Sequence, residues 1–343
     1  MNKPATIKDI AKQLNISVST VSRAMRNAPD VNNDTKKAVM ALAEELNYQP
    51  NRLALSLRQK QTHTIGVIVP NLDYVLSMMV RGIDEVALEA GYTVMVCQSN
   101  ESFGREIVNT RRLLESLVDG FIISVSSETK SFEHFKKIQE RGIPMIVFDR
   151  TTPHLTAPTV HLDNEEGGFM ATEHLLEQGY KRIAILAGPK NLGISNSRMD
   201  GYMNALKKYK IKPDPTLMIH CDFNQDYAFF ATEELLAMKK RPDAIFTISD
   251  RMAIGASLAI KKKGLSMPDD IALVSFNNEP IVSLVTPGIS SVEMPSFEMG
   301  KAAAKLFIET MHHPDDMSGV ERIFKPKLFI RESSQKSLAK KLH

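Results

Sequence analysis

Cysteine is scarce: only Cys97 and Cys221 occur in 343 residues, each inside an apolar run. So few thiols exclude a disulfide framework and suit a reducing compartment. Long apolar runs are missing as well. Nothing approaches the roughly eighteen uninterrupted apolar residues of a membrane span, and the opening "MNKPATIKDIAKQ" has no stretch of signal-peptide type. A cytoplasmic protein with no membrane partner is expected. Enzyme signatures are also lacking: there is no G-x-S-x-G, no G-x-x-x-x-G-K-[ST], no G-x-G-x-x-G and no H-E-x-x-H. His312–His313 with Asp315–Asp316 reads as a surface loop after a helix rather than a metal site. No catalytic residue, no metal ligand and no cofactor is therefore expected. The tail, "RESSQKSLAKKLH", offers only Leu338 and Leu342 at helical spacing. That is too little for a tetramerising coiled coil, so a dimer is favoured.

What is present is an ordinary globular balance, 43% apolar and 24% charged, in a chain long enough for two or three domains. The charge is uneven. Residues 1–60 carry ten Lys/Arg against five Asp/Glu, a net +5, while the remainder holds 33 basic and 35 acidic residues. A small basic head on a near-neutral body suits contact with a polyanion.

The head reads as three short helices. Thr6 and Asp9 resemble a capping box with Asp in place of Glu. Ile7, Ile10, Ala11 and Leu14 share one helical face. Asn15 can take the left-handed turn that ends a helix, Ile16 is expected as a buried plug, and Ser17 as the N-cap of a second helix. That second helix, "SVSTVSRAM", is rich in β-branched and hydroxylated residues, which do not favour a helix strongly. A third amphipathic helix follows from about Asn32, with Val39, Leu42, Ala43 and Leu46 inward. Two short helices joined by a tight turn make the helix-turn-helix shape.

At this point "ATIKDIAKQLNISVSTVSRAMRN" and "YQPNRLALSLR" resemble the DNA-binding head and hinge of the LacI/GalR family of bacterial transcriptional regulators. The match runs through Thr6, Asp9, Ile10, Ala11, Ser17, Thr20, Val21, Ser22, Arg23, Tyr48, Pro50, Asn51, Ala54 and Leu57. The resemblance implies that the second helix enters the major groove. Val18 and Ser19 would read base edges, and Arg23 would suit guanine. Thr6, Ser17, Thr20 and Ser22 would bind phosphates, where small hydroxyls fix register without specifying sequence. Arg26 stands where many members have Asn and could still bind phosphate. The resemblance also implies a hinge helix at 50–58 that folds on operator DNA, with Asn51 in contact and Leu57 wedged into the minor groove. Leu55 replaces a frequent Arg there. A bacterial, nucleoid-associated protein follows from the same resemblance.

Beyond residue 62 the texture changes to apolar strand-like runs alternating with helical stretches at 78–90, 104–117, 129–141, 165–178, 198–209, 225–239, 251–263 and 296–311. Such alternation implies parallel sheets with helices on both faces, and eight runs divide near 160 into two sheets. The resemblance implies an α/β periplasmic-binding-protein-like body of two doubly wound parallel-sheet subdomains behind the small all-α helix-turn-helix head. The expected organisation is a head at 1–49, a hinge and linker at 50–62, a first subdomain at 63–160 with 291–322, a second at 161–290 with 323–330, and a tail at 331–343.

Ligands of open α/β sheets sit at the carboxyl ends of strands. The residues just beyond those ends are amides, a few carboxylates, an arginine and an aromatic, a mixture suited to a sugar-like ligand. The family's effector positions fall on Asp149, Arg198, Phe223, Asp250 and Asn277. Asp73 and Tyr74 stand in for the usual aromatic pair of the first loop. "SFNN" replaces a common G-[FY]-D-D, removing two carboxylates from the cleft. The expected function is a repressor that binds a palindromic operator in double-stranded DNA as a homodimer. It is switched by a small sugar or sugar derivative. The alternative is a sugar-binding protein without a regulatory role.

Overall fold

A computed structural model describes residues 5–48, 61–313 and 319–336. Almost the whole expected hinge, including Asn51 and Leu57, and most of the tail lie outside the described residues. The chain divides into two compact units, residues 1–62 and 63–343.

In the first unit, α1 (Ile7–Gln13), α2 (Val18–Met25) and α3 (Asn33–Glu45) form as expected. Thr6 N and Oγ1 both donate to Asp9 Oδ2, at 2.8 and 2.7 Å. Asn15 takes the left-handed conformation, with φ 51°. Ser17 Oγ accepts from Thr20 N at 3.0 Å and so closes the first turn of α2. The poor helical propensity of α2 is overridden by that cap and by burial. Val21 and Ala24 are driven into a small core with Ile10, Val39 and Ala43. Ile16 is only half-buried, packed against the edge of this core rather than sealed inside it.

The second unit holds two six-stranded sheets among the described residues. The first lobe orders β1 (Thr64–Val69), β2 (Thr93–Gln98), β3 (Gly120–Ile123), β4 (Met145–Phe148), β5 (Thr159–Leu162) and β11 (Glu321–Phe324) as β11-β5-β4-β3-β1-β2, all parallel. Its helices are α4 (Tyr74–Glu89), α5 (Phe103–Glu115), α6 (Glu133–Glu140) and α12 (Ser296–His312). The second lobe orders β6 (Ile183–Ala187), β7 (Met218–His220), β8 (Ala244–Thr247), β9 (Ala272–Asn277), β10 (Ser290–Glu293) and β12 (Lys327–Phe329) as β12-β10-β9-β8-β6-β7. Only β12 runs antiparallel to its neighbour. The helices of this lobe are α7 (Asn164–Glu177), α8 (Gly193–Lys208), α9 (Gln225–Ala237), α10 (Asp250–Lys262) and α11 (Ile281–Leu284). Strands such as β3, β4 and β8 are buried along their whole length, as sheets covered on both faces require.

The chain crosses between lobes at 163, at 294–295 and at 325–326. The expected subdomain limits therefore shift by a few residues. Residues 291–293 belong to the second lobe, because Ser291, Val292 and Glu293 pair with Ser275, Phe276 and Asn277 of β9. Residues 161–162 and 323–324 belong to the first, because Ile323 and Phe324 pair with His161 and Leu162. Strand partnership decides these limits, and apolar runs do not reveal partnership. Helix α8 also begins five residues before the expected 198. "GISNS" has no apolar stripe, yet it winds onto the start of the helix and carries Ser195 in its first turn. Among the described residues no helix is long and apolar enough to cross a membrane.

Candidate functional site

Two surfaces carry chemistry, one on each unit. On the head, burial of Val21 and Ala24 turns the opposite side of α2 outward. Val18 is 42% exposed, and Ser17, Ser19, Arg23 and Arg26 are also exposed; Thr20 and Ser22 are half-buried. The hydroxyls are already linked: Ser17 Oγ lies 2.7 Å from Ser19 Oγ and 2.8 Å from Thr20 Oγ1. Arg23 Nη1 donates to Asp30 Oδ2 at 2.8 Å, which steadies the guanidinium at the end of the helix. Arg26 Nε donates to Ser22 O at 3.2 Å. Thr6 is exposed at the start of α1, and its side chain is engaged by Asp9. One helix thus presents an apolar contact, small hydroxyls and two guanidiniums on a single outward face.

On the body, the carboxyl ends of both sheets open on a cleft of about 720 Å³ between the two lobes. Five of the seven expected ligand residues line it: Asp73, Asp149, Arg198, Phe223 and Asn277. Asp149 follows β4 in a left-handed conformation (φ 60°) and is buried. Burial pushes its carboxyl above the usual carboxylate range against the pull of Arg150, Arg198 and Ser124. Arg198 is 2% exposed. Its Nε donates to Asn164 Oδ1 at 2.9 Å and its Nη1 to Ile248 O at 2.6 Å. Its guanidinium lies 3.6 Å from the centroid of the Phe276 ring. Burial draws its pKa down to about 10, with Asp149 and Asp250 opposing that fall.

Tyr74 and Asp250 do not line the cleft. Tyr74 is 43% exposed at the start of α4, whose N-cap Asp73 and first-turn residues Val75 and Leu76 line the cleft instead. Asp250 is fully buried behind the wall. It accepts from Ser275 Oγ at 2.5 Å, Ser291 Oγ at 2.8 Å and the Glu279 N–H at 2.6 Å, so it ties α10 to β9, β10 and the loop after β9. Its role is to hold that loop, and with it the cleft residues Asn277 and Glu279.

Burial lifts the Asp250 carboxyl to about 7 despite those three donors. A carboxyl raised in the folded state favours folding fully below about pH 4 and loses that contribution as pH rises through its folded value. Asp149 acts in the same direction. The melting temperature should therefore decline between about pH 4 and 7, and Asp250→Asn should flatten the decline. The same slope in wild type and variant, measured by calorimetry, would remove Asp250 as its source.

Several cleft residues were not expected. Glu101 receives Arg150 in a two-pronged pair, Nη1 to Oε2 at 2.8 Å and Nη2 to Oε1 at 2.9 Å, and also accepts from Ser127 N at 2.8 Å. Burial alone would raise its pKa, but the Arg150 and Ser127 bonds bring it below the ordinary value. Across the cleft, Arg251 Nη2 donates to Asp73 Oδ1 at 3.0 Å, and Asn191 Nδ2 donates to Ser127 O. Glu101 could have been found by extending the strand-end rule to β2. Nothing in the sequence marks Arg251 or Asn191, whose partners lie on the other lobe.

A second cavity of about 290 Å³ lies beside the first crossover, lined by Asp149, His161, Asp163 and Glu165 among others. Among the described residues no cluster of three or more His, Cys, Asp or Glu is placed to hold a metal ion.

Comparison with known proteins finds matches to both units. Residues 6–51 match the family of bacterial regulatory proteins of the lacI type, and residues 62–332 match the periplasmic binding proteins and sugar binding domain of the LacI family. The chain is 32% identical over 332 residues to the HTH-type transcriptional repressor CytR of Escherichia coli strain K12, covering 96% of each protein. It is equally 32% identical over 332 residues to the ribose operon repressor of Halalkalibacterium halodurans, covering 96% of this chain and 97% of that one. Among solved structures, the lac repressor dimer bound to operator and the anti-inducer ONPF superposes with a TM-score of 0.88. That pair shares 25% identity over 97% of this chain and 100% of the other.

Proposed function

The chain belongs to the LacI family of bacterial regulatory proteins, and on that premise we propose that it is a dimeric repressor. It binds a palindromic operator, and a small polyhydroxylated molecule in the cleft sets its grip on DNA. In this reading it works in the bacterial cytoplasm, on the nucleoid. The observation that carries it is the pairing, in one chain, of an outward-facing reading helix with a polar cleft between two lobes. The relatives are named as repressors rather than enzymes. The second copy has a surface to meet. Exposed apolar side chains stand on α4 and β2 (Leu88, Met95, Val96) and on α9, α10 and α11 (Phe230, Leu258, Leu284), and such residues on both lobes suit a symmetric partner.

On the head, Val18, Ser19 and Arg23 are the proposed base readers. Thr6, Ser17, Thr20, Ser22 and Arg26 are the proposed phosphate contacts, and Asn51 and Leu57 the hinge contacts. In the cleft, Asp73, Asp149, Arg198, Phe223 and Asn277 are the proposed effector contacts. Asp149 and Asn277 would accept and donate at ring hydroxyls, and the Phe223 ring would lie against a C–H face. An effector that fits the closed lobes better than the open ones shifts their balance by that difference in affinity. The polar links Asp73–Arg251 and Ser127–Asn191 already span the cleft. The ligand therefore acts on a closure that is partly formed. Residues 50–62 would carry the change to the spacing of the two heads.

The test is a duplex selected from a random pool and titrated by fluorescence anisotropy at several salt concentrations. Specific binding to a palindrome with a steep salt slope is expected. Equal affinity for selected and scrambled duplex at every salt concentration would refute the function. Arg23→Ala should cost about 1–3 kcal/mol on the selected site, and little on scrambled duplex. An equal loss on both duplexes would make Arg23 a phosphate contact instead.

A further inference from the structure

The charge of the cleft narrows the chemistry of the molecule that enters it. We infer that the site takes a polyol without negative charge, uncharged or amino-bearing, and turns away its phosphorylated and carboxylated counterparts. This rests on the effector reading above and sharpens it.

Among the described residues, three of those lining the cleft are arginines, and no lysine or histidine lines it. An anionic group is held best by a guanidinium that offers both terminal nitrogens, or by an unengaged ammonium. None is available. Arg150 gives both terminal nitrogens to Glu101. Its Nε is buried without a hydrogen-bond partner, 4.0 Å from Asp149 Oδ2. Arg198 has Nε and Nη1 engaged and its flat face on Phe276. Arg251 holds Asp73 across the cleft. A phosphate could take both terminal nitrogens of any of these forks only by breaking an existing hydrogen bond, and at Arg150 or Arg251 it would leave a carboxylate behind.

The carboxylates point the other way. Beyond Asp73 and Glu101, which are already paired, the lining includes Glu128, Asp149, Asp222 and Glu279. Six acidic residues face three basic ones, so a ligand phosphate meets net repulsion at short range. Helix N-termini, the other usual cradle for anions, are mostly supplied with negative charge already. Asp73 caps α4 and Asp226 lies in the first turn of α9. Helix α8 starts without a side-chain cap or an acidic residue in its first turn, and the six carboxylates lining the cleft outnumber that one open end. Carboxylates, amides and a single aromatic ring remain to bind hydroxyls, and an ammonium would find partners at Asp222 or Glu128.

The full-length chain can be melted against ribose, glucose, cellobiose and adenosine, each beside ribose 5-phosphate, glucose 6-phosphate, cellobionate and AMP, with glucosamine as the cationic member. A bound ligand raises the melting temperature by mass action. The uncharged or amino member of the binding set should act at least about tenfold more tightly than its anionic counterpart. Glu101→Gln, which releases the Arg150 fork, should narrow that gap. An anionic member that stabilises the wild-type chain as well as its parent overturns the inference and leaves the effector reading intact. A flat response across the whole panel, with operator binding retained, overturns the effector reading and this inference together. A gap unchanged in a folded Glu101→Gln chain overturns the assignment of the paired Arg150 as its cause.

Discussion

Arg198→Ala is expected to abolish the response of operator binding to effector while leaving operator affinity itself nearly unchanged. The guanidinium is held on three sides, by Asn164, by the Ile248 carbonyl and by the Phe276 ring, and it stands beside Asp149 at the floor of the cleft. A side chain fixed this firmly is organised before the ligand arrives, so little ordering cost is left to the binding step. Its removal does three things. A positive charge no longer stands near the buried Asp149 carboxyl, whose pKa rises further. Asn164 and the Ile248 carbonyl lose their donor, at about 1–3 kcal/mol for groups left unsatisfied. A void opens over Phe276. Each effect falls on the cleft and none on the head, whose core is separate. Anisotropy titrations with and without effector, alongside circular dichroism, decide the matter. A retained effector response in a folded Arg198→Ala chain would remove Arg198 from the site. Arg198→Lys keeps the charge but not the two directed bonds, and should recover less than half of the response.

The head was almost fully legible because its logic is local. Caps at Thr6 and Ser17, the left-handed Asn15 and the inward faces of three short helices all depend on residues three or four apart. The two-lobed body was legible for the same reason, since βα alternation is a local texture. What escaped depends on strand partnership or on contacts between distant segments. β10 looked like the start of the first lobe until its pairing with β9 placed it in the second. Asp250 looked like a cleft ligand because it follows a strand, but two serines from β9 and β10 draw it behind the wall. Arg251, its neighbour, reaches Asp73 from 178 residues away. A cleft does open at the strand ends that the rule names, while the side chains that cross it came only from the structure.

The second large effect is expected from a residue that touches no ligand. Gly201→Ala in α8 should destabilise the body by about 1–3 kcal/mol or more, the usual cost of forcing atoms into a filled interface. A Cβ at Gly201 would stand 2.1 Å from Glu165 O and 2.5 Å from Phe169 N, both backbone atoms of α7. The contact is reciprocal, for a Cβ at Gly168 in α7 would stand 2.2 Å from Arg198 O in α8. Neither helix can yield a rotamer to make room, because the obstruction is main chain; the helices must part. Arg198 lies one turn before Gly201 on the same helix, so parting them also draws its guanidinium off Phe276 and away from Asp149. Lower stability and a weaker effector response should therefore appear together in Gly201→Ala. Gly104→Ala in α5 is the control. The nearest atom to its new Cβ is Ser102 Oγ at 3.9 Å, so the substitution only removes backbone freedom and should stabilise by about 0.4–1 kcal/mol. Thermal melts of the two variants should move in opposite directions. A Gly201→Ala chain that melts with the wild type would mean that α7 and α8 can separate at no cost, and that their close packing does not fix the floor of the cleft.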